Sequence, residues 1–566
     1  MNFKNLIVQL SQESIAYDNP DHLRSLIASE NGIQNIPIQP LYQALRNMNP
    51  QEKEELLPAL TKSQRQNLYD IDLWQKDEID VYHFQDWLFT IANVEDEDVR
   101  TEFLQSSEFV LFFKGRFNIY TFDAEDPEYP EHEHFFLTDD GLLIVEFDKD
   151  FPYVQELQGL IRHLYSVIGV EEAYAYLFKI TSDGFMELQE SEYREKKERL
   201  RDLGFVDYYD ALEFISSFPS KSHVDHFINN KKALNADLSA NSLNQTLNSY
   251  AIRPYVDAFD FLESEVAKVK DQKRIDYLKF NFLRMVNATM TLDDALKSGK
   301  IAMNRVAKKN IFYLQIGFSY MVEKFNTTEE HSFFDVFDFS EVFRVGHGVI
   351  ALEKTRMKKA MMKHQFGEEE VDKFLGDFWN DYLDNSMTEM PEVKMRWGET
   401  QLDFMVNSVN NYRLWEVINN CFCDSIPFIK KFSEMWGKVL DDGQLQSHLY
   451  LNYDLEEVDF ESILLSSFAN YLLGHLESET KKLGITVEEF KTIYQRHFDA
   501  DGKVLSNKNL KNDIESFAKA FGLGEVDHFE QFMLAICLDN LEGYRLSELN
   551  EAEFKHIGGP IILNQN

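Results

Sequence analysis

The chain has 566 residues, 44% of them hydrophobic, so it can bury sizeable cores and does not belong with disordered proteins. Its 97 acidic against 57 basic side chains give a net charge of -40, a field that repels phosphate backbones, and nucleic acid is not an expected partner. The three cysteines, Cys421, Cys423 and Cys537, are too few for a disulfide-stapled secreted scaffold, and a cytoplasmic location is expected.

The N-terminal MNFKNLIVQLSQES turns polar too early for a secretory signal, so no export is expected. From Pro40 the sequence runs as brief amphipathic segments, each opened by a polar cap: Asn49-Pro50-Gln51-Glu52, then Thr61-Lys62-Ser63-Gln64. Leu56, Leu57 and Leu60 form one apolar stripe and Leu68, Ile71 and Leu73 the next. Short antiparallel helices stacked as a small solenoid are the natural reading, because each stripe needs a neighbour to hide it.

After Val94 the run FVLFFKGRFNIYTF places Phe109, Leu111 and Phe113, then Phe117, Ile119 and Tyr120, in a pattern that suggests strands around Gly115. In HFFLTDDGLLIVEF the pair Asp140-Gly141 signals a hairpin turn, with the preceding strands as its partners. Helices resume at Val154 and run to a long charged segment closed by Gly204. The tract from Ser216 to Ser249, rich in Asn and Ser, reads as a linker. Further helical blocks follow, and ILLSSFANYLLG from Ile463 to Gly474 is a buried helix, too short to span a bilayer.

The candidate sites are weak. In HFDADGKVLSNKN a calcium loop aligned on Gly502 has Asp499 and Asp501 in place, but His497 stands first and Lys508 replaces the closing glutamate, so a helix-joining turn is expected instead. His132 and His134, beside Glu131 and Glu133, would share a strand face that suits a metal, yet no third ligand is identifiable, and a surface loop ahead of a strand is the other reading. YDIDLWQKDEID gathers Asp70, Asp72, Asp77, Glu78 and Asp80 around Trp74. Asp70 and Asp72 read as helix caps and Trp74 as the plug of a helix junction, with a carboxylate pair for general acid and base chemistry and a partner-binding ridge as the other readings. RVGHGVI around His347 offers two glycines for close helix packing. Cys421 and Cys423 fall on different helical faces and make neither a metal nor a redox pair. Two basic stretches stand out, REKKERLR from Arg194 to Arg201 and KTRMKKAMMKHQ from Lys354 to Gln365, and the second, interleaved with methionines, could dock a partner or pair internally. No nucleophile elbow, P-loop or dinucleotide fingerprint is present.

The segments LYQALRNMNPQEKEELLPALTKSQRQNLYDIDLWQKDEID, FFLTDDGLLIVEF, YREKKERLRDLGFVDYYDALEF and FSEVFRVGHGVIALE resemble a bacterial domain-of-unknown-function family of long, acidic, mostly helical soluble proteins. The resemblance covers the first two-thirds of the chain and implies grouping and fold, with no chemistry attached. The N-terminal short helices also look like the helical superstructures of magnesium-transporter cytosolic domains and flagellar motor proteins, a likeness of fold alone.

The fold expected is mainly α, a multi-domain helical repeat-like architecture with a small antiparallel β insertion near residues 106–148. The expected divisions are 1–105, 106–215, a linker at 216–249, then 250–385, 386–483 and 484–566. The expected function is that of a non-enzymatic cytoplasmic protein-interaction or regulatory protein with a protein partner, no cofactor and no membrane span. Its candidate interaction surface is Asp72, Trp74, Asp77, Lys354, Arg356, Lys358 and Lys359. Two alternatives stand beside it: an enzyme with a composite carboxylate and histidine site, with or without a metal, and an acidic chaperone-like or nucleic-acid-mimicking binder.

Overall fold

The structure is a computed structural model that describes residues 32–121, 129–182, 184–216, 218–231, 255, 260–325, 332–441, 458–475, 484–546 and 561–564. The chain divides into two compact units. One comprises Met1–Ser216, Asn230–Ile311 and Asn326–Arg344; the other comprises Ser217–Asn229, Phe312–Phe325 and Val345–Asn566. Of the tract read as a linker, the described part carries the helix Lys221–Asn230, and the tract from residue 232 lies outside the described residues, as does MNFKNLIVQLSQES.

In the first unit the helices Ile38–Arg46, Pro50–Leu56, Lys62–Asp72, Val81–Asn93, Glu97–Leu104 and Ser107–Arg116 follow one another with short connections. Their starts are set locally. The Asn49 side chain accepts from the Glu52 N–H while the Glu52 carboxylate accepts from the Asn49 N–H, and Pro50 occupies the first helical position, where it has no hydrogen bond to lose. Thr61 and Gln64 repeat the arrangement one helix later. Leu57, Leu68 and Leu73 are fully buried, which requires the neighbouring helices to close over each stripe. The core continues through Phe84, Phe103, Phe109 and Phe112, with the Phe84 and Phe112 rings stacked at 3.9 Å.

The run FVLFFKGR departs from the strand expected there. It forms the helix Ser107–Arg116, capped by the Ser106 side chain, which accepts from the Phe109 N–H. Phe109, Leu111, Phe112 and Phe113 are all buried, as is Glu108, so the apolar positions spread over several sides of the helix and no clean polar face marks its period. Strands begin only at Asn118. Asn118–Thr121, Phe135–Leu137 and Leu143–Glu146 make a three-stranded antiparallel sheet with Leu143–Glu146 in the centre. The turn is the expected one: Gly141, at φ 70°, donates to the Thr138 carbonyl, and Thr138 donates to the Asp140 carboxylate.

The second unit is also mostly helical. A β-ribbon, Glu392–Trp397 with Thr400–Met405, sits with the helices Asp377–Ser386 and Phe529–Leu541. Trp379 stacks on Phe532 at 4.8 Å and meets Phe422 at 5.1 Å, on the long helix Val409–Asp441. The Ile463–Gly474 segment forms the expected buried helix, Phe460–Leu472, and no described helix is long and apolar enough to cross a membrane. The two glycines of RVGHGVI work as read. A Cβ on Gly346 would lie 2.0 Å from the Tyr313 carbonyl oxygen, and one on Gly348 would lie 2.8 Å from the Phe218 ring. The HFDADGKV segment joins the helices Val487–His497 and Asn507–Phe521, and Asp499 accepts from the N–H groups of Asp501 and Lys503 at 3.0 and 2.8 Å.

Candidate functional site

The most elaborated surface of the first unit is built on a two-residue-per-strand hairpin. Trp74–Gln75 pairs with Glu78–Ile79, and Lys76 at the turn takes a left-handed φ of 59°. A lysine there carries backbone strain of order 1 kcal/mol that a glycine would not, so the surroundings must hold it. They do so through one helix. From Phe185–Asp202, Gln189 donates to the Asp77 carbonyl at 2.8 Å, Lys196 donates to the Lys76 carbonyl at 2.8 Å, and Arg199 grips both oxygens of Asp70 at 2.7 and 2.9 Å.

Behind the hairpin lies a buried polar cluster. Asp70 is fully covered, and Glu108, 0% exposed, accepts from Gln66 at 3.0 Å and from the Trp74 indole at 3.3 Å. Burial, reinforced by the Asp70 charge, pushes the Glu108 carboxyl up to about 7. Trp74 is 4% exposed, with the Lys196 ammonium 4.6 Å from its ring. It therefore plugs the helix junction as read, but Asp70 and Asp72 are not caps: both lie inside the helix Lys62–Asp72 and accept from distant side chains, and it is Asp80 that caps the next helix by accepting from the His83 N–H.

On one side of the hairpin a groove of about 610 Å³ opens between it, the Ser107–Arg116 helix and the start of Phe185–Asp202. Its floor is apolar: Ile79, Val81, Leu111, Phe112, Phe185 and Met186, with Met186 73% exposed. Its rim carries Asp77, Glu78, Glu187 and Glu190. Arg116 is the one basic residue among those that line it, and it faces Asp148 at 3.6 Å. The local charge is therefore strongly negative around an apolar strip in which Leu111 and Phe112 are buried, Ile79, Val81 and Phe185 half-buried, and Met186 exposed.

The residues singled out in the sequence are distributed over several environments. Asp77 stands on the groove rim, while Asp72 faces another cavity, of about 240 Å³, where it accepts from the Tyr42 hydroxyl at 2.6 Å and the Trp87 indole at 2.7 Å. Lys354, Arg356, Lys358 and Lys359 lie on the helix Phe339–Lys363. Lys354 donates to the Thr388 carbonyl, and Arg356 turns inward to Glu353, which is 0% exposed and also takes bonds from Lys221 at 3.1 Å and Asn419 at 3.1 Å. Burial opposes ionisation of Glu353, but the Arg356 hydrogen bonds and the Lys221 charge outweigh it and hold the carboxyl below its usual range. Lys358 and Lys359 remain exposed.

His132 does reach Glu146, at 2.6 Å, and Glu146 also accepts from Asn118 and Tyr120, at 2.9 and 3.0 Å. This set is largely solvent-exposed, and among the described residues no group of three or more His, Cys, Asp or Glu is arranged to hold a metal ion. The groove residues Phe185 and Met186 were not singled out in the sequence, and the buried Lys196 was met only as one member of the basic run REKKERLR. The signal that could have found them is the spacing Met186, Glu190, Tyr193, Lys196, Leu200, one face at helical intervals inside a segment read only as long and charged.

A family model described as a family of unknown function, DUF6178, matches residues 27–555, well past the first two-thirds of the chain. No curated protein and no solved structure matches.

Proposed function

We propose, from the premise that the chain belongs to the DUF6178 family of unknown function, that it is a non-enzymatic interaction or regulatory protein whose hairpin groove binds a basic amphipathic segment of a protein partner. The observation that carries this reading is the pairing of an apolar floor with a rim of four carboxylates in one groove. Apolar side chains presented at helical spacing would take the floor, and flanking Lys or Arg would meet Asp77, Glu78, Glu187 and Glu190. The floor supplies most of the affinity, whereas the carboxylates select the partner's charge and speed its approach within the field of a chain at -40. A groove fixed by a strained hairpin is preorganised, so little conformational entropy is lost on binding.

The test is titration of the protein with a fluorescent helical peptide bearing leucines at positions i, i+4 and i+7 between lysines. A scrambled peptide of equal charge serves as the control for attraction to the acidic surface in general. The expected result is saturable binding of the patterned peptide only, weakened about tenfold, or about 1.4 kcal/mol, in the double variant Glu187→Lys, Glu190→Lys. Equal binding of both peptides, or no response to the double variant, would count against the groove.

A further inference from the structure

On the other side of the same hairpin lies a cavity of about 310 Å³, walled by the hairpin, the second half of the Phe185–Asp202 helix, the Phe205–Tyr208 segment and residues 290–297. Four ammonium groups line it, those of Lys76, Lys196, Lys197 and Lys297, against the carboxylates of Asp70, Asp207 and Asp294. The charges are not matched one to one. Both Asp70 oxygens are held by Arg199, and the Asp207 oxygens accept from the Tyr193 hydroxyl at 2.7 Å and the Tyr209 N–H at 3.0 Å. Lys197 is satisfied by Asp210 at 2.9 Å, and Lys297 by the Trp74 carbonyl at 2.7 Å with Asp80 at 3.7 Å.

Lys196 is different. Its side chain is 5% exposed, yet its ammonium has one carbonyl acceptor, on Lys76, and two aromatic faces, Trp74 and Tyr193, at 4.6 and 4.7 Å. It has no carboxylate in ion-pair contact. An ammonium has three N–H donors, so a buried one with a single oxygen acceptor beside a cavity is short of acceptors on the cavity side. Taking a charge out of water without a counter-ion is costly, and the natural remedy is an anion from outside. Beyond the ammoniums the cavity offers Leu200, Phe205, Met290 and Leu296, apolar surface for the body of such a ligand.

We propose that this cavity binds a small organic anion, a phosphate monoester with an apolar or aromatic body, whose anionic group pairs with Lys196 while its body packs on the apolar wall. The proposal is independent of the groove. Protonation of Lys196 supports it in a way that can be measured. Burial pulls the Lys196 ammonium down to about 8, with Lys297 acting in the same direction and Asp207, Asp70 and Glu108 opposing. An anion at the site favours the charged form, so affinity is full below about 8 and falls as pH rises through it.

The experiment is calorimetric titration of the full chain with phenyl phosphate, and with inorganic phosphate in parallel. The expected result is one saturable site for phenyl phosphate, weaker binding of phosphate alone, loss of the phenyl phosphate site in Lys196→Met, and affinity that falls through about 8. Because Lys196→Met removes a buried contact and can impair folding, the wild-type chain is also pulse-labelled with formaldehyde and cyanoborohydride. Phenyl phosphate should protect Lys196 and leave Lys358 and Lys359 unprotected. No saturation at millimolar ligand, or labelling of Lys196 unchanged at saturation, would overturn the proposal.

Discussion

Glu108 and Trp74 show what a single side chain contributes here. The Glu108 carboxyl is raised from 4.5 to about 7 by burial and the Asp70 charge, so the folded state holds a proton that the unfolded chain releases between those values. The sign follows: stability is lost as pH rises from 4.5 to about 7, because the unfolded chain ionises first. Replacing Glu108 with Gln keeps an acceptor for Trp74 and removes the titration. The stability of Glu108→Gln relative to wild type should therefore rise across that window in urea unfolding curves, whereas a pH-independent difference would contradict the assignment. Trp74→Ala empties a space between Glu108 and Lys196 and should lower the unfolding free energy by about 3–5 kcal/mol, the range for a large buried aromatic. A change near zero would mean that the indole is not a plug. Trp74 was legible as a plug because it is a large aromatic in the short connection between two helices, the second of which starts at the Asp80 cap. Lys196 was not legible, because nothing in a run of charges tells which one faces inward until its partner, the hairpin turn, is placed.

Among the elements, those with local starts could be read and those defined by distant partners could not. The capping boxes at Asn49 and Thr61 write helix starts into four residues each, and the Asp140-Gly141 turn writes the hairpin. The Ser107–Arg116 helix defeats such reading, since buried residues on several of its sides erase the alternation that separates helix from strand. Gly346 is an intermediate case: the glycine is visible in the sequence, and the helix it lets in is visible only in the fold. Its missing Cβ leaves room for the Tyr313 carbonyl, and Gly346→Ala should force the backbones apart at a cost of about 1–3 kcal/mol, measured by chemical denaturation. An unchanged midpoint would show that the two backbones can separate freely. Gly437, with open space at its Cβ position, is the matched control on another helix.

For the whole molecule, composition excluded more than it specified. A charge of -40 sets the sign of any partner surface, but it does not say where that surface is, because charge is summed over the chain and a groove is made by three segments far apart in sequence. The groove residues Asp77, Phe112 and Met186 meet only once the hairpin, one buried helix and one half-exposed helix are packed together. The basic stretch from Lys354 offers the competing location, and Met362 there is as exposed as Met186, at 73% each. The two methionines thus form a matched pair of positions for one measurement. A photo-crosslinking amino acid is placed at 186 or at 362 in the full chain, the cells are irradiated, and the cross-linked peptides are sequenced. The account predicts a discrete product at 186 whose attached peptide is basic and amphipathic, and none of that product at 362. No product at 186, or the same products at both positions, would contradict it.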